Sequence, residues 1–194
     1  MNKIAIFASG SGTNAENIIH YFNNNHPLGC VKMVLTNNAQ AGVINRCKKL
    51  SVPIFVLKNN DFENSELIVN LLYKNEIDWI VLAGFLKKIS PFLIDAYPNK
   101  IVNIHPSLLP LYGGKGMYGA HVHEAVIAAK EKQSGISIHF VNAKYDDGAI
   151  IYQAKCEIES SDNAISLASK IHQLEMEHFP KVLEQLLEPK QNSK

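Results

Sequence analysis

The sequence has very little arginine and no excess of either charge. Arg46 is the single arginine among 19 basic residues, and 18 acidic residues leave a formal net charge of +1. Proteins that bind nucleic-acid backbones favour arginine forks and carry a basic surface. The composition therefore argues against a nucleic-acid partner, and it gives no support to an anionic membrane surface.

Cysteine is also scarce, and long apolar runs are missing. The three cysteines are odd in number, widely spaced and not arranged as CxxC, so zinc and redox motifs have no support. The apolar run that follows Lys3 is too short for a signal peptide or a membrane span. A reducing, cytoplasmic compartment is therefore expected, without a membrane partner.

The chain is long enough to bury a core. Its 194 residues predict one domain over residues 1–188, followed by a polar, frayed tail over 189–194. The domain is expected to be a monomer or a homodimer, and the sequence does not choose between them.

Apolar segments alternate with amphipathic ones over the first 105 residues. Five runs are typical of strands that are buried on both faces; they lie at 3–8, 31–36, 53–57, 79–84 and 100–105. Helical spacing between them predicts helices over 15–25, 41–50 and 61–75. The alternation predicts an α/β fold, a Rossmann-like, open, mostly parallel twisted sheet with helices on both faces.

The pattern changes in the C-terminal half. The strand-like segments 136–141 and 149–158 are separated by too few residues for a crossover helix, so they predict an antiparallel extension of the sheet. A last helix is expected to begin with an N-cap at Ser161-Asp162. Pro180 is expected to kink or restart this helix.

A glycine loop joins the first strand to the first helix. Gly10–Ala15 satisfies G-x-G-x-x-A, a pattern that lets backbone N–H groups approach an anion at a helix N-terminus. A dinucleotide site would also need a carboxylate at the end of the second strand, which here ends Thr36-Asn37-Asn38. The loop therefore favours a single phosphate ester over NAD, and a purely structural turn stays open.

Asn103 and His105 stand two residues apart at the end of the fifth strand, where both are predicted to point to one face. They suit a catalytic pair, the start of a metal site or two satisfied polar groups. No third ligand is spaced to complete a metal site with the other histidines, so no metal is expected. Asp146 and Asp147 are the best carboxylates to orient a working imidazole, unless both serve only their Asp-Asp-Gly turn.

Two further features have a weaker signal. Leu111–Ala120 holds four glycines in ten residues, so it could close over a substrate or be disordered. His121 and His123 lie beside this loop and are expected to be structural or substrate-adjacent. Glu175 shares a helix face with His172, and most exposed helical carboxylates have no specific role.

Four stretches together resemble the phosphoribosylglycinamide formyltransferases, within the folate-dependent formyltransferase superfamily. In chain order they are SGSGTN at 9–14, LAGFLKKISP at 82–91, NIHPSLLP at 103–110, and HFVN with YDDGAIIYQ at 139–142 and 145–153. The resemblance covers roughly residues 3–187.

The resemblance implies an activity and a set of site residues. The activity is transfer of the formyl group of 10-formyltetrahydrofolate to the amine of glycinamide ribonucleotide, in purine biosynthesis and without a metal. The implied catalytic residues are Asn103, His105 and Asp146, with Asn103 and His105 stabilising a tetrahedral oxyanion. The implied ribonucleotide site is Gly12, Thr13, Asn14 and Glu175, and the implied folate site is Leu86, Lys87, Lys88, Ile89, Asn103 and His139.

The chain departs from this family in several places, two of which lie at implied site residues, and two alternatives stay open. The turn that usually reads Asp-Gly-Gly or Asp-Glu-Gly is Asp146-Asp147-Gly148 here. The arginine that many members place near the folate pocket is absent, so Lys87 and Lys88 are expected to serve instead. The alternatives are a formyltransferase for another amine, on a nucleotide sugar or methionyl-tRNA, and a non-catalytic phosphate-binding module.

Overall fold

The computed structural model describes residues 1–24, 26–63 and 65–189, which contain seven strands and seven helices. The strands are β1 Asn2–Phe7, β2 Gly29–Thr36, β3 Ile54–Val56, β4 Trp79–Leu82, β5 Ile101–His105, β6 Gln133–Phe140 and β7 Ile150–Glu157. The helices are α1 Thr13–Asn23, α2 Val43–Lys49, α3 Asn59–Glu63, α4 Glu66–Lys74, α5 Pro91–Ala96, α6 Ala120–Ala128 and α7 Ala164–Leu187.

The strands form one seven-stranded sheet in the order β3-β2-β1-β4-β5-β6-β7. The pairs from β3 through β5 are parallel, whereas β6 is antiparallel to both β5 and β7. The predicted mostly parallel sheet with an antiparallel extension is confirmed. Strand order reverses between β1 and β4, and open α/β sheets bind their ligands beside such a reversal.

Alternate residues of each central strand enter different cores. On β1, Ile4 and Ile6 pack into a core with α1, α2, α6 and α7, while Ala5 and Phe7 pack into a second core with α3, α4 and α5. A strand that is buried on both faces needs apolar residues at consecutive positions, which explains the continuous apolar runs. None of the helices in the described ranges is both long enough and apolar enough to cross a membrane.

Several predicted helix boundaries were wrong. The helix predicted over 61–75 is two helices, α3 and α4, with residue 64 outside the described residues. Helix α1 begins at Thr13, directly after the glycine loop, and ends at Asn23; residue 25, where it was predicted to end, is not described. Helices α5 and α6 were not predicted. Apart from Pro189, the predicted tail also lies outside the described residues.

Helix α7 differs from its prediction at the N-cap, and it does not restart at Pro180. Its N-cap is Asn163, whose side-chain oxygen accepts from the backbone N–H groups of Ile165 and Ser166. The helix then continues through Pro180 instead of restarting there. Proline leaves the carbonyl four residues earlier without its helical partner. Here the Asn17 side chain of α1 donates to that carbonyl, on Met176, at 2.8 Å.

Two of the three buried histidines in this fold have a lowered pKa. His139 on β6 and His123 on α6 have relative exposures of 2% and 7%. Burial lowers the pKa of both imidazoles from the ordinary value of 6.5, because the charged form loses its hydration. Both side chains are therefore expected to be neutral at pH 7.

We predict that these two groups make the protein less stable as pH falls below about 6.5. Between the lowered pKa values and 6.5, the unfolded chain binds protons that the folded protein does not, so acid favours unfolding. The urea midpoint of the wild type should fall between pH 7 and pH 5.5, and it should fall less in a His123→Asn/His139→Gln variant. His20→Gln, at an exposed position on α1, is the control. An unchanged pH slope in the double variant would contradict the prediction.

Candidate active site

The loops that follow β1, β4 and β5 surround a cavity at the point where the strand order reverses. The loops after β1 and β4 are tied together, because the backbone N–H of Ser9 donates to the carbonyl of Gly84 at 3.0 Å. The cavity has a volume of about 660 Å³. Its walls are the glycine loop 10–14, residues 83–86 and 103–106, the glycine-rich segment 114–119, His123, Tyr145, Asp146, and Ala168, Ile171, His172 and Glu175 of α7.

One end of the cavity is formed by the glycine loop and the N-terminus of α1. Gly12 is the N-cap of this helix, with φ of 80° in the left-handed region that favours glycine. No side chain from the described residues caps the helix. The first N–H groups of a helix have no partner within it, and together with the helix dipole they favour an anion. The geometry suits the phosphate predicted for Gly12, Thr13 and Asn14.

Glu175 lies at the same end. Its carboxylate accepts from the Asn14 side-chain amide at 2.8 Å, so α7 is linked directly to the glycine loop. His172 Nδ1 lies 3.6 Å from the same carboxylate. The interaction with Glu175 raises the pKa of His172, against the opposing effects of desolvation and of the charge on Arg46.

Asp146 connects the residues at the other end of the cavity. One carboxylate oxygen, Oδ2, accepts from the backbone N–H of Gly114 at 2.9 Å and lies 3.6 Å from His105 Nδ1. The other, Oδ1, accepts from the Asn103 amide at 3.4 Å. The structure therefore brings together all three residues predicted to be catalytic, from β5 and from the turn between β6 and β7.

The hydrogen bonds of His105 define which ring nitrogen faces Asp146. His105 is 4% exposed, and its Nε2 lies 2.8 Å from the backbone carbonyl of Tyr112. A carbonyl can only accept, so Nε2 carries a hydrogen in this arrangement. Nδ1 is then the nitrogen that faces Asp146.

His139 determines how the Asn103 amide is oriented. The two residues are directly paired between the antiparallel strands β5 and β6. His139 Nδ1 donates to the carbonyl of Phe140 at 2.8 Å, which leaves Nε2 as an acceptor on a neutral ring. Asn103 Nδ2 donates to that nitrogen at 3.0 Å. The amide N–H₂ group, and not its oxygen, is therefore directed toward His139 and Asp146.

The turn that carries Asp146 separates its two aspartates. Asp146 has φ of 51°, a left-handed conformation that aspartate tolerates better than most residues. Asp147 is turned to the surface, where its carboxylate accepts from Asn142 at 3.3 Å and lies 3.7 Å from Lys144 Nζ. A side chain at Gly148 would put its Cβ 1.7 Å from the Phe140 carbonyl oxygen, so the turn requires glycine there.

The predicted folate residues divide into two groups. Leu86 and Asn103 line the cavity. Lys87, Lys88, Ile89 and His139 are not among the lining residues: the Ile89 side chain packs in the second core, and both His139 nitrogens are bonded within the protein. The Lys88 ammonium group lies 5.8 Å from the centroid of the Tyr145 ring, beside the cavity wall. The folate contacts of these four residues stay predictions.

Some residues of the site had no motif to mark them. Gly114 has φ of 97°, and its N–H group holds the Asp146 carboxylate. The sequence shows a glycine-rich segment at this position. The contact itself could not be predicted, because it joins residues that are 32 apart in the chain. Tyr145 and Lys115 also line the cavity. Among the described residues, no three His, Cys, Asp or Glu side chains are grouped so that they could hold a metal ion.

The chain is similar in sequence to known proteins over most of its length. The formyl transferase family model matches residues 2–183. The phosphoribosylglycinamide formyltransferase of Bacillus subtilis is 35% identical over 191 residues, which cover 96% of this chain and 95% of that protein. The chloroplastic enzyme of the same name from Arabidopsis thaliana is 36% identical over 174 residues, or 87% of this chain. The matched part spans 60% of the plant protein's length.

A solved structure shares the fold over almost the whole chain. The crystal structure of phosphoribosylglycinamide formyltransferase from Bacillus halodurans is 37% identical, with a TM-score of 0.88. The match covers 99% of this chain and 98% of that one. The resemblance found in the sequence motifs is confirmed, and the chain belongs to the formyl transferase family.

Proposed function

We propose that the protein transfers the formyl group of 10-formyltetrahydrofolate to the amine of glycinamide ribonucleotide. The observation that carries this proposal is the Asp146 carboxylate, which lies against both Asn103 and His105 at one end of a cavity whose other end is the glycine loop. The names of the relatives support the choice of substrates. The proposed reaction requires 10-formyltetrahydrofolate as a co-substrate and requires no metal.

The cavity orients the two substrates by their different chemistry. The phosphate of the ribonucleotide binds to the N–H groups of Gly12, Thr13 and Asn14, where the α1 dipole favours negative charge. Glu175 accepts hydrogen bonds from the ribonucleotide beyond the phosphate. The amine is then directed along the cavity toward Asn103 and His105, where the formyl group of the folate is bound. Bringing both reactants into one cavity removes much of the entropic barrier to their reaction.

The reaction proceeds through a tetrahedral intermediate. The amine nitrogen forms a bond to the formyl carbon, and the C=O electron pair moves onto the oxygen. The Asn103 amide makes a long 3.4 Å hydrogen bond to Asp146. The oxyanion takes the place of Asp146 as the acceptor, so the amide N–H then donates to the oxyanion. The imidazolium of His105 stabilises the same negative charge.

Collapse of the intermediate requires movement of one proton. The bond between the formyl carbon and the folate nitrogen breaks, and that nitrogen leaves with the electron pair. The attacking amine loses a proton and the departing nitrogen gains one, so the reaction has no net uptake of protons. His105 Nδ1, facing Asp146, carries the proton between them directly or through a water molecule.

We predict that the purified protein formylates glycinamide ribonucleotide, and that His105→Ala and Asp146→Asn each lower kcat by about 10²–10³-fold. Each change removes either an oxyanion donor or the carboxylate that orients it. The measurement is release of tetrahydrofolate with each acceptor, comparing glycinamide ribonucleotide with an amino sugar nucleotide and methionyl-tRNA.

Asp147→Asn is the matched control, because it removes the neighbouring carboxylate, which faces the surface, and should keep nearly full activity. Binding of both substrates without any transfer would refute the proposal and favour a non-catalytic module. Faster transfer to another acceptor would instead assign the chain to a different amine substrate.

We further predict that His139→Leu lowers kcat by about tenfold without a comparable rise in the KM for the ribonucleotide. Leucine cannot accept from Asn103 Nδ2, so the amide is free to rotate and present its oxygen to the oxyanion. Steady-state kinetics with both substrates would separate the two constants. Ser134→Ala, which removes a buried and unpartnered hydroxyl from the same strand, is the control. A large rise in the KM for folate, with kcat kept, would instead support the folate contact predicted for His139.

A further inference from the structure

Helix α2 packs against the outer side of the glycine loop. The backbone N–H of Val43 donates to the Gly10 carbonyl at 3.2 Å, and the Arg46 Nε–H donates to the Ser11 carbonyl at 2.9 Å. No residue of α2 lines the cavity, whereas the loop does. Two consecutive loop carbonyls are therefore directed away from the cavity.

The loop and the start of α2 are in direct contact. A Cβ on Gly12 would lie 2.5 Å from Val43 Cβ, and a Cβ on Gly42 would lie 3.1 Å from the Ser11 carbonyl oxygen. Neither position has room for a side chain without movement of the backbone. The close approach lets the Arg46 side chain reach the loop from behind.

Arg46 joins three elements. Its Nε–H bonds to the loop carbonyl, and its terminal nitrogen forms an ion pair with Glu16 in the first turn of α1. A planar guanidinium presents several N–H donors in fixed directions, so it can bind a carbonyl and a carboxylate together. A lysine carries the same charge on a single nitrogen and cannot reproduce both contacts in this geometry.

The cavity itself holds little positive charge. Lys115 is the one lysine among the residues that line the described cavity, which includes no arginine. Arg46 lies behind the loop, where its charge is paired with that of Glu16. Its effect on a phosphate at the loop is therefore exerted through the Ser11 carbonyl, which its Nε–H binds on the side away from the cavity.

We propose that Arg46 is a positioning residue that gives the glycine loop its affinity for a phosphate group. By binding the Ser11 carbonyl from behind, it keeps a partial negative charge off the phosphate and leaves the N–H groups of the following residues facing the cavity. This inference rests on the proposed function for the identity of the full substrate. The phosphate-specific effect can be tested without turnover.

The experiment compares the wild type with Arg46→Lys, which keeps the charge and loses the fork. Binding of ribose 5-phosphate, measured by calorimetry without folate, should weaken by about tenfold in the variant. The KM for glycinamide ribonucleotide should rise by a similar factor, while kcat and the KM for 10-formyltetrahydrofolate should stay within about twofold of the wild type. Ribose lacks the phosphate, so its affinity should be the same for the wild type and for the Arg46→Lys variant.

Lys49→Gln is the control, because it removes a charge from the exposed end of the same helix. It should leave binding of ribose 5-phosphate unchanged. Equal binding by wild type and Arg46→Lys would overturn the proposal. The proposal would also be overturned if Arg46→Lys lowered the affinity for folate to the same extent and lowered the melting temperature. Arg46 would then only stabilise the fold through its ion pair.

The two proposals can fail separately. If the wild type does not formylate glycinamide ribonucleotide but Arg46→Lys still weakens ribose 5-phosphate binding, the proposed function fails and the role of Arg46 stands. If the wild type transfers the formyl group but the wild type and the variant bind ribose 5-phosphate equally tightly, only the role of Arg46 fails. A wild type that does not bind ribose 5-phosphate would refute the phosphate site itself.

Discussion

The arrangement of the end of the cavity that holds Asn103 and His105 depends on the hydrogen bonds of one carboxylate. Asp146 lies in a surface turn, but its side chain is 13% exposed and is held by the Gly114 N–H group. This bond joins the β6–β7 turn to the glycine-rich segment after β5. A carboxylate that is removed from water in this way needs donors on several sides. The Gly114 N–H and the Asn103 amide supply them here, and His105 Nδ1 lies 3.6 Å away.

The sheet explains why the glycine loop and the Asn103 and His105 side chains share one cavity. Strands β1, β4 and β5 are parallel neighbours, so their carboxyl ends meet at the same edge. Strand order reverses between β1 and β4, and such a reversal leaves a crevice at this edge of an open α/β sheet. The glycine loop follows β1, whereas Asn103 and His105 lie at the end of β5. Two strand spacings of about 4.8 Å separate these two strands.

The sequence was sufficient to predict the layers of the fold, because these depend on local patterns. Apolar runs marked the strands, and the motifs at 9–14 and 103–110 marked residues that the structure brings to one cavity. What could not be read were the contacts made by residues far apart in the chain. Helix α7 passes through Pro180 because Asn17, 159 residues away from Met176, bonds to the carbonyl that proline leaves free. Likewise, the family resemblance chose Asp146 over Asp147 by position, but only the turn shows that the first carboxylate lies inside and the second at the surface.

The two buried imidazoles beside Asp146 show how the same side chain acquires different chemistry from its backbone partner. In His139 a carbonyl binds Nδ1–H, so Nε2 is an acceptor, and burial keeps the ring neutral. In His105 a carbonyl binds Nε2–H, so Nδ1 faces the carboxylate and the cavity. Exchanging these two tautomers would turn the Asn103 amide around and change which nitrogen of His105 is bonded within the protein. The position of a carbonyl beside each ring, which no residue type specifies, thus decides which ring nitrogen of each histidine carries the hydrogen.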